Sequence, residues 1–80
     1  MKAKFNAEKL KRTRITRKLT QQELAEKADV SDREIRAIED GSVKNPRVST
    51  AGKMCRALKV PVESLLVFYE EEEAGGDSIS

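Results

Sequence analysis

The sequence predicts an all-α fold of five short helices in one small domain. Three observations carry that prediction. Two helix-start signals, Thr20-Gln-Gln-Glu23 and Ser31-Asp-Arg-Glu34, stand eleven residues apart. In each, the hydroxyl can accept from the amide three residues on while the glutamate reaches back, a capping box. Apolar residues recur at helical spacing inside both stretches: Leu24, Ala25 and Ala28 in one, Ile35 and Ile38 in the other. Gly41 then falls where a left-handed residue would stop the second of these helices.

The connection Asp29-Val30-Ser31 is too short for a loop and forces a sharp crossing. Asp29 is expected at positive φ, which aspartate tolerates less readily than glycine. Ala25 is small where the next helix must approach closely. Two helices joined in this way at about 90–120° are a helix-turn-helix. In chain order they are helices 2 and 3.

Charge is unevenly placed. All sixteen basic residues precede Val60 and only nine acidic residues lie in 1–66, so that stretch carries +7. Residues 67–80 hold Glu70 to Glu73 and Asp77, a net −5. A +7 domain can simply be well solvated, but beside a helix-turn-helix it offers a face to a polyanion. No run approaches the roughly 18 apolar residues of a membrane span, and the first residues lack the apolar region of a secretory signal. A single cysteine cannot make an internal disulfide, so a reducing, cytoplasmic setting is expected and no membrane partner.

The chemistry available is narrow. Without histidine, neither a Ser-His-Asp system nor a histidine metal site can be assembled. Cys55 sits at core spacing and reads as a structural thiol. Glycines at 41, 52, 75 and 76 form no phosphate loop. The sequence predicts no enzyme, no cofactor and no metal.

The remaining elements follow in order. Residues 1–5 are a basic lead-in, and Asn6 caps a first helix running to about Lys18. Its inner stripe is Leu10, then Ile15 or Thr13, then Leu19. After Gly41 comes a loop through Val48, marked by Gly41, Asn45 and Pro46. Ser49 or Thr50 caps a fourth helix over Ala51 to Leu58, with Ala51, Met54, Cys55 and Leu58 inward. Gly52 inside it is about 1 kcal/mol worse than alanine. Pro61 opens a short fifth helix with Val62, Leu65 and Leu66 apolar. The run Leu65-Leu66-Val67-Phe68-Tyr69 cannot all face inward from one helix. Phe68 and Tyr69 either fold back on the domain or form a self-association patch. The domain is placed at 1–69, with an acidic, disordered tail over 70–80.

Thr20-Gln21, Leu24-Ala25, Val30-Ser31, Ile35, Ile38-Glu39 and Gly41 together resemble the lambda-repressor-like (Xre/Cro-type) helix-turn-helix. The likeness extends upstream to Leu10-Lys11 and Arg14, and downstream through Pro46 and Met54–Val60 to Leu66. Two positions depart from it: Thr13 stands where the family has leucine and Lys18 where it has glycine. The resemblance implies a partly buried salt bridge between Arg14 and Glu39, and places Lys44 and Arg47 along a DNA backbone.

On this reading the first turn of helix 3 points into the major groove, where base edges present distinct donor and acceptor patterns. Base contacts are expected from Ser31, Asp32, Arg33 and Arg36. Arg33 suits a guanine and Asp32 a cytosine amino group, while Ser31 is equally explained by capping and Arg36 can reach base or phosphate. Asp32 and Glu34 are acids where phosphate repels them. Phosphate contacts are expected from Thr20, Gln21, Lys44, Asn45 and Arg47. The function implied is a sequence-specific transcriptional repressor acting on double-stranded DNA as a homodimer through Phe68 and Tyr69, with no small-molecule ligand. The rival reading is a protein-interaction module, an antitoxin-like or anti-repressor partner, using the same fold.

Overall fold

The structure, a computed structural model, describes residues 2–70. The order of elements is β1 (Lys2–Phe5), α1 (Ala7–Thr16), α2 (Gln21–Ala28), α3 (Asp32–Glu39), α4 (Val48–Leu58), a 3-10 turn (Val62–Leu65) and β2 (Leu66–Tyr69). Four α-helices and a two-stranded antiparallel sheet therefore replace the five helices expected. The acidic tail falls, apart from Glu70, outside the described residues.

The correction has a physical reason at both ends of the chain. After Pro61 only one tight turn forms, and Leu66 is already extended at φ −113° and ψ 147°. Leu66-Val-Phe-Tyr69 is rich in β-branched and aromatic side chains, which suit a pleated strand once a partner exists. That partner is the basic lead-in: Lys2 pairs with Tyr69, Ala3 with Phe68, Lys4 with Val67 and Phe5 with Leu66. The Asn6 amide donates to the Leu65 carbonyl at 2.8 Å and fastens the base of this ribbon to the helical body.

Helix ends explain the crossings. α1 stops at Thr16, two residues short of the expected Lys18, because Lys18 itself is left-handed at φ 61°. The Leu19 amide then donates to the Arg14 carbonyl and that of Lys18 to Ile15, which makes a Schellman close. α2 ends identically at Asp29, φ 60°, with Val30 donating to Ala25. α4 does the same at Lys59, also φ 60°, with Val60 donating to Cys55. α3 ends at Asp40, and Gly41 at φ 89° turns the chain away. α4 begins at Val48, earlier than expected, and neither Ser49 nor Thr50 caps it; Arg47 is the N-cap and makes no side-chain cap bond.

The core lies where α1, α2, α3, α4 and the 3-10 turn meet. It comprises Leu10, Leu24, Ala25, Ala28, Ile35, Ile38, Met54, Cys55, Leu58 and Leu65. On α1, Ile15 is exposed and Thr13 is half-buried, so Leu10 and Arg14 supply that helix's inner face. Phe5, Leu19 and Val30 cover the edges.

Candidate nucleic-acid interface

α2 and α3 form the helix-turn-helix, and its geometry starts with the caps. Thr20 Oγ1 accepts from the Glu23 amide at 3.0 Å and Glu23 Oε1 accepts from the Thr20 amide at 2.8 Å, closing the capping box. Of the four amides that a helix start leaves unpaired, those of Gln21 and Gln22 remain after this exchange. Two free N–H groups at the positive end of the α2 dipole can receive a phosphate oxygen.

At α3 only half of the second capping box forms. Ser31 Oγ accepts from the Glu34 amide at 3.0 Å, but the Glu34 side chain turns to α4, where its Oε2 accepts from Thr50 Oγ1 at 3.2 Å. That contact accounts for the one buried hydroxyl of α4 and carries the Glu34 carboxylate to the flank of the helix. The buried Ile35 and Ile38 leave Arg33, Arg36 and the half-buried Ala37 on the opposite side. Asp32 lies at the margin, and its Oδ2 pairs with Arg36 Nη2 at 2.8 Å.

One ion-pair network fixes α3 relative to α1 and α2. Arg14 Nε and Nη2 donate to Glu39 Oε2 and Oε1 at 2.7 and 3.0 Å, the two-pronged geometry of guanidinium on carboxylate. Arg14 Nη1 also donates to the Leu19 carbonyl at 2.7 Å. Gln21 Nε2 donates to Glu39 Oε1 at 3.1 Å, so the first residue of α2 is tied to the last of α3. The side chains of Arg14 and Glu39 are 9% and 3% exposed. Gln21 is half-buried, with part of its amide engaged inside the protein.

Lys44, Asn45 and Arg47 are exposed on the loop after α3. Lys44 and Asn45 share a hollow with Lys4, Phe5, Val43 and Tyr69, which sets them beside the ribbon. Lys4 Nζ lies 6.0 Å from the centre of the Tyr69 ring. The Asp40 carboxylate accepts from the Ser42 amide at 2.8 Å, and bonding to Ser42 lowers its pKa. Phe68 and Tyr69 are 52% and 43% exposed on β2.

Lys11 was not among the expected contacts, yet it lines a shallow depression with Gln21, Arg36, Glu39 and Asp40. Its signal was present: it stands one turn before Arg14 and therefore on the same side of α1. The turn of Glu34 toward Thr50 had no local signal, since the two residues meet only in the folded chain.

Residues 10–65, more than half of the chain, match the helix-turn-helix family. No curated protein sequence matches the chain. Among solved structures, it resembles the biofilm regulator SinR in complex with DNA at 30% identity and TM-score 0.72, covering 74% of this chain and 94% of that one. It also resembles the N-terminal DNA-binding domain of SinR from Bacillus subtilis at 31% identity and TM-score 0.71, covering 85% and 99%. The restriction-modification controller protein C.Esp1396I, at 24% identity and TM-score 0.67 over 74% and 75%, shares the fold. Capped helices, the left-handed turn at Asp29, the Arg14–Glu39 tie and the matched span agree: the chain belongs to the lambda-repressor-like helix-turn-helix family.

Proposed function

We propose that this chain is a sequence-specific DNA-binding transcriptional regulator, a repressor, that reads the major groove with α3 as a homodimer. The observation that carries the reading is the outward face of α3. Arg33 and Arg36 stand on it, Glu34 is withdrawn to Thr50, and α2 presents two free amides at its start. The likeness to a SinR structure that contains DNA supports it.

In this proposal Arg33 and Arg36 supply the base contacts, with Ser31 and Asp32 at the groove edge. Thr20, Gln21, Lys44, Asn45 and Arg47 hold phosphates, joined by Lys11 through its place beside Gln21 and Arg36. Phe68 and Tyr69, exposed at the end of β2, are the proposed dimer contacts. Two copies would read half-sites about one helical turn, ~34–36 Å, apart.

The test is selection of bound sequences from a random duplex library at ~150 mM salt, where non-specific binding is weak. Enrichment of a two-fold-symmetric motif is expected, and sedimentation at tens of micromolar should show a dimer on that motif. Salt-sensitive background binding with no enriched motif would sink the regulator reading and move the assignment to a protein partner. A strict monomer with and without DNA would remove the homodimer.

A further inference from the structure

The first residue of α3 and the outward arginine one turn on form a single unit. Arg36 Nη2 sits 2.8 Å from Asp32 Oδ2, with the arginine side chain 64% exposed and the aspartate 34%. The other aspartate oxygen, Oδ1, is closed off from solvent and has no hydrogen-bond partner. Among the described residues no other group bonds the Arg36 guanidinium, so its Nε and Nη1 hydrogens remain free. A planar fork held on one side keeps the spacing that two adjacent acceptors require.

We propose that Asp32 is a positioning residue: it aims Arg36 at the O6/N7 edge of a guanine and does not itself contact a base. This rests on the reading that α3 enters the major groove. Two observations favour it over direct reading of a cytosine by Asp32. One carboxylate oxygen is spent on Arg36, and the other is shut away from solvent, where a base amino group could not reach it without rearrangement. Pairing also neutralises an acid that would otherwise face phosphate, which explains how Asp32 is tolerated there.

The experiment is duplex selection with the full chain, run in parallel for wild type, Arg36→Ala, Asp32→Ala and Asp32→Asn, each checked for native helicity. Wild type should enrich a guanine at one position of each half-site, and Arg36→Ala should lose it. Both Asp32 variants should weaken preference at that same position by about tenfold while leaving the other positions intact, within the range of one two-pronged base contact. A purely structural role for Asp32 would lower affinity for all sequences alike and overturn the proposal. So would lost preference at a different base pair from that of Arg36, or unchanged specificity. A wild-type protein that enriches no motif defeats the regulator reading as a whole. A clear wild-type motif with indifferent Asp32 variants defeats only this inference.

Discussion

Removing Glu39 tests the architecture at its most consequential point. Glu39→Gln keeps the shape but removes the charge that faces Arg14 through two bonds of 2.7 and 3.0 Å. Arg14 is only 8% exposed, so its guanidinium would stay buried without a counter-charge, left with two neutral acceptors, the Leu19 carbonyl and the single amide oxygen of the new side chain. Stripping one member from a buried pair costs about 3–5 kcal/mol, and the surviving Leu19 bond puts this site near about 3 kcal/mol. A domain of this size has roughly 4–12 kcal/mol in total, so the loss is a large share. Arg14→Met should cost a similar amount by leaving Glu39 with Gln21 alone. The double variant Arg14→Met/Glu39→Met should recover most of the loss, because an apolar pair of similar volume needs no compensation. Urea unfolding followed by circular dichroism measures wild type, the singles Glu39→Gln, Glu39→Met and Arg14→Met, and the double, whose own two singles complete the cycle. With a slope near about 1 kcal/mol per molar, each single change should move the midpoint by roughly 3 M. Single losses below about 1 kcal/mol would mean that the pair behaves as an exposed one. Additive losses in the double variant would mean that the two side chains are uncoupled, and either result would show that no buried pair ties α1 to α3.

Two further outcomes follow from local geometry. Glycine stands at Gly52 in the interior of α4, where an added Cβ would meet only the tip of Arg56 at 3.7 Å, whereas lysine stands at left-handed Lys18; Gly52→Ala and Lys18→Gly should each raise stability by about 0.5–1 kcal/mol in thermal melts. Cys55 is 2% exposed, and burial, helped by the charge of Glu63, raises its thiol pKa; iodoacetamide at about pH 8 should label the urea-unfolded chain much faster than the native one. The sign for stability follows: the fold favours the protonated thiol, so its contribution is intact below about pH 8.5 and is lost as the pH rises further. Equal labelling of native and unfolded protein would show that the thiol is accessible.

Much of the helical body was legible because its signals are local. The Thr20–Glu23 box, the left-handed Asp29 and the stripe Ala51, Met54, Cys55 and Leu58 each depend on residues within a turn or two, and each is present. The C-terminal segment was not legible. A short apolar run such as Leu65–Tyr69 fits a helix or a strand equally well by spacing, and its partner lies at the opposite end of the chain. Thr50 read as a cap because a hydroxyl before an apolar run usually is one; its actual partner, Glu34, belongs to another helix. The early end of α1 was obscured because lysine seldom takes a left-handed conformation. At the candidate interface, residue types were readable but their alliances were not. Gln21 with Glu39 is a bond that only the folded geometry discloses; Asp32 with Arg36 is the exception, since four-residue spacing on one helix already offers that pair.

The β1–β2 ribbon sets the order in which this chain can assemble. α2 and α3 need to close only a three-residue turn, whereas Lys2 finds Tyr69 across nearly the whole chain. Loop closure over that span carries the larger entropic penalty, so the strands are expected to join after the helices have packed. The same arrangement has a mechanical side. Tension applied at the two ends peels the ribbon open from Lys2 and Tyr69, one residue pair at a time, and reaches Asn6 and Leu65 before it loads any helix.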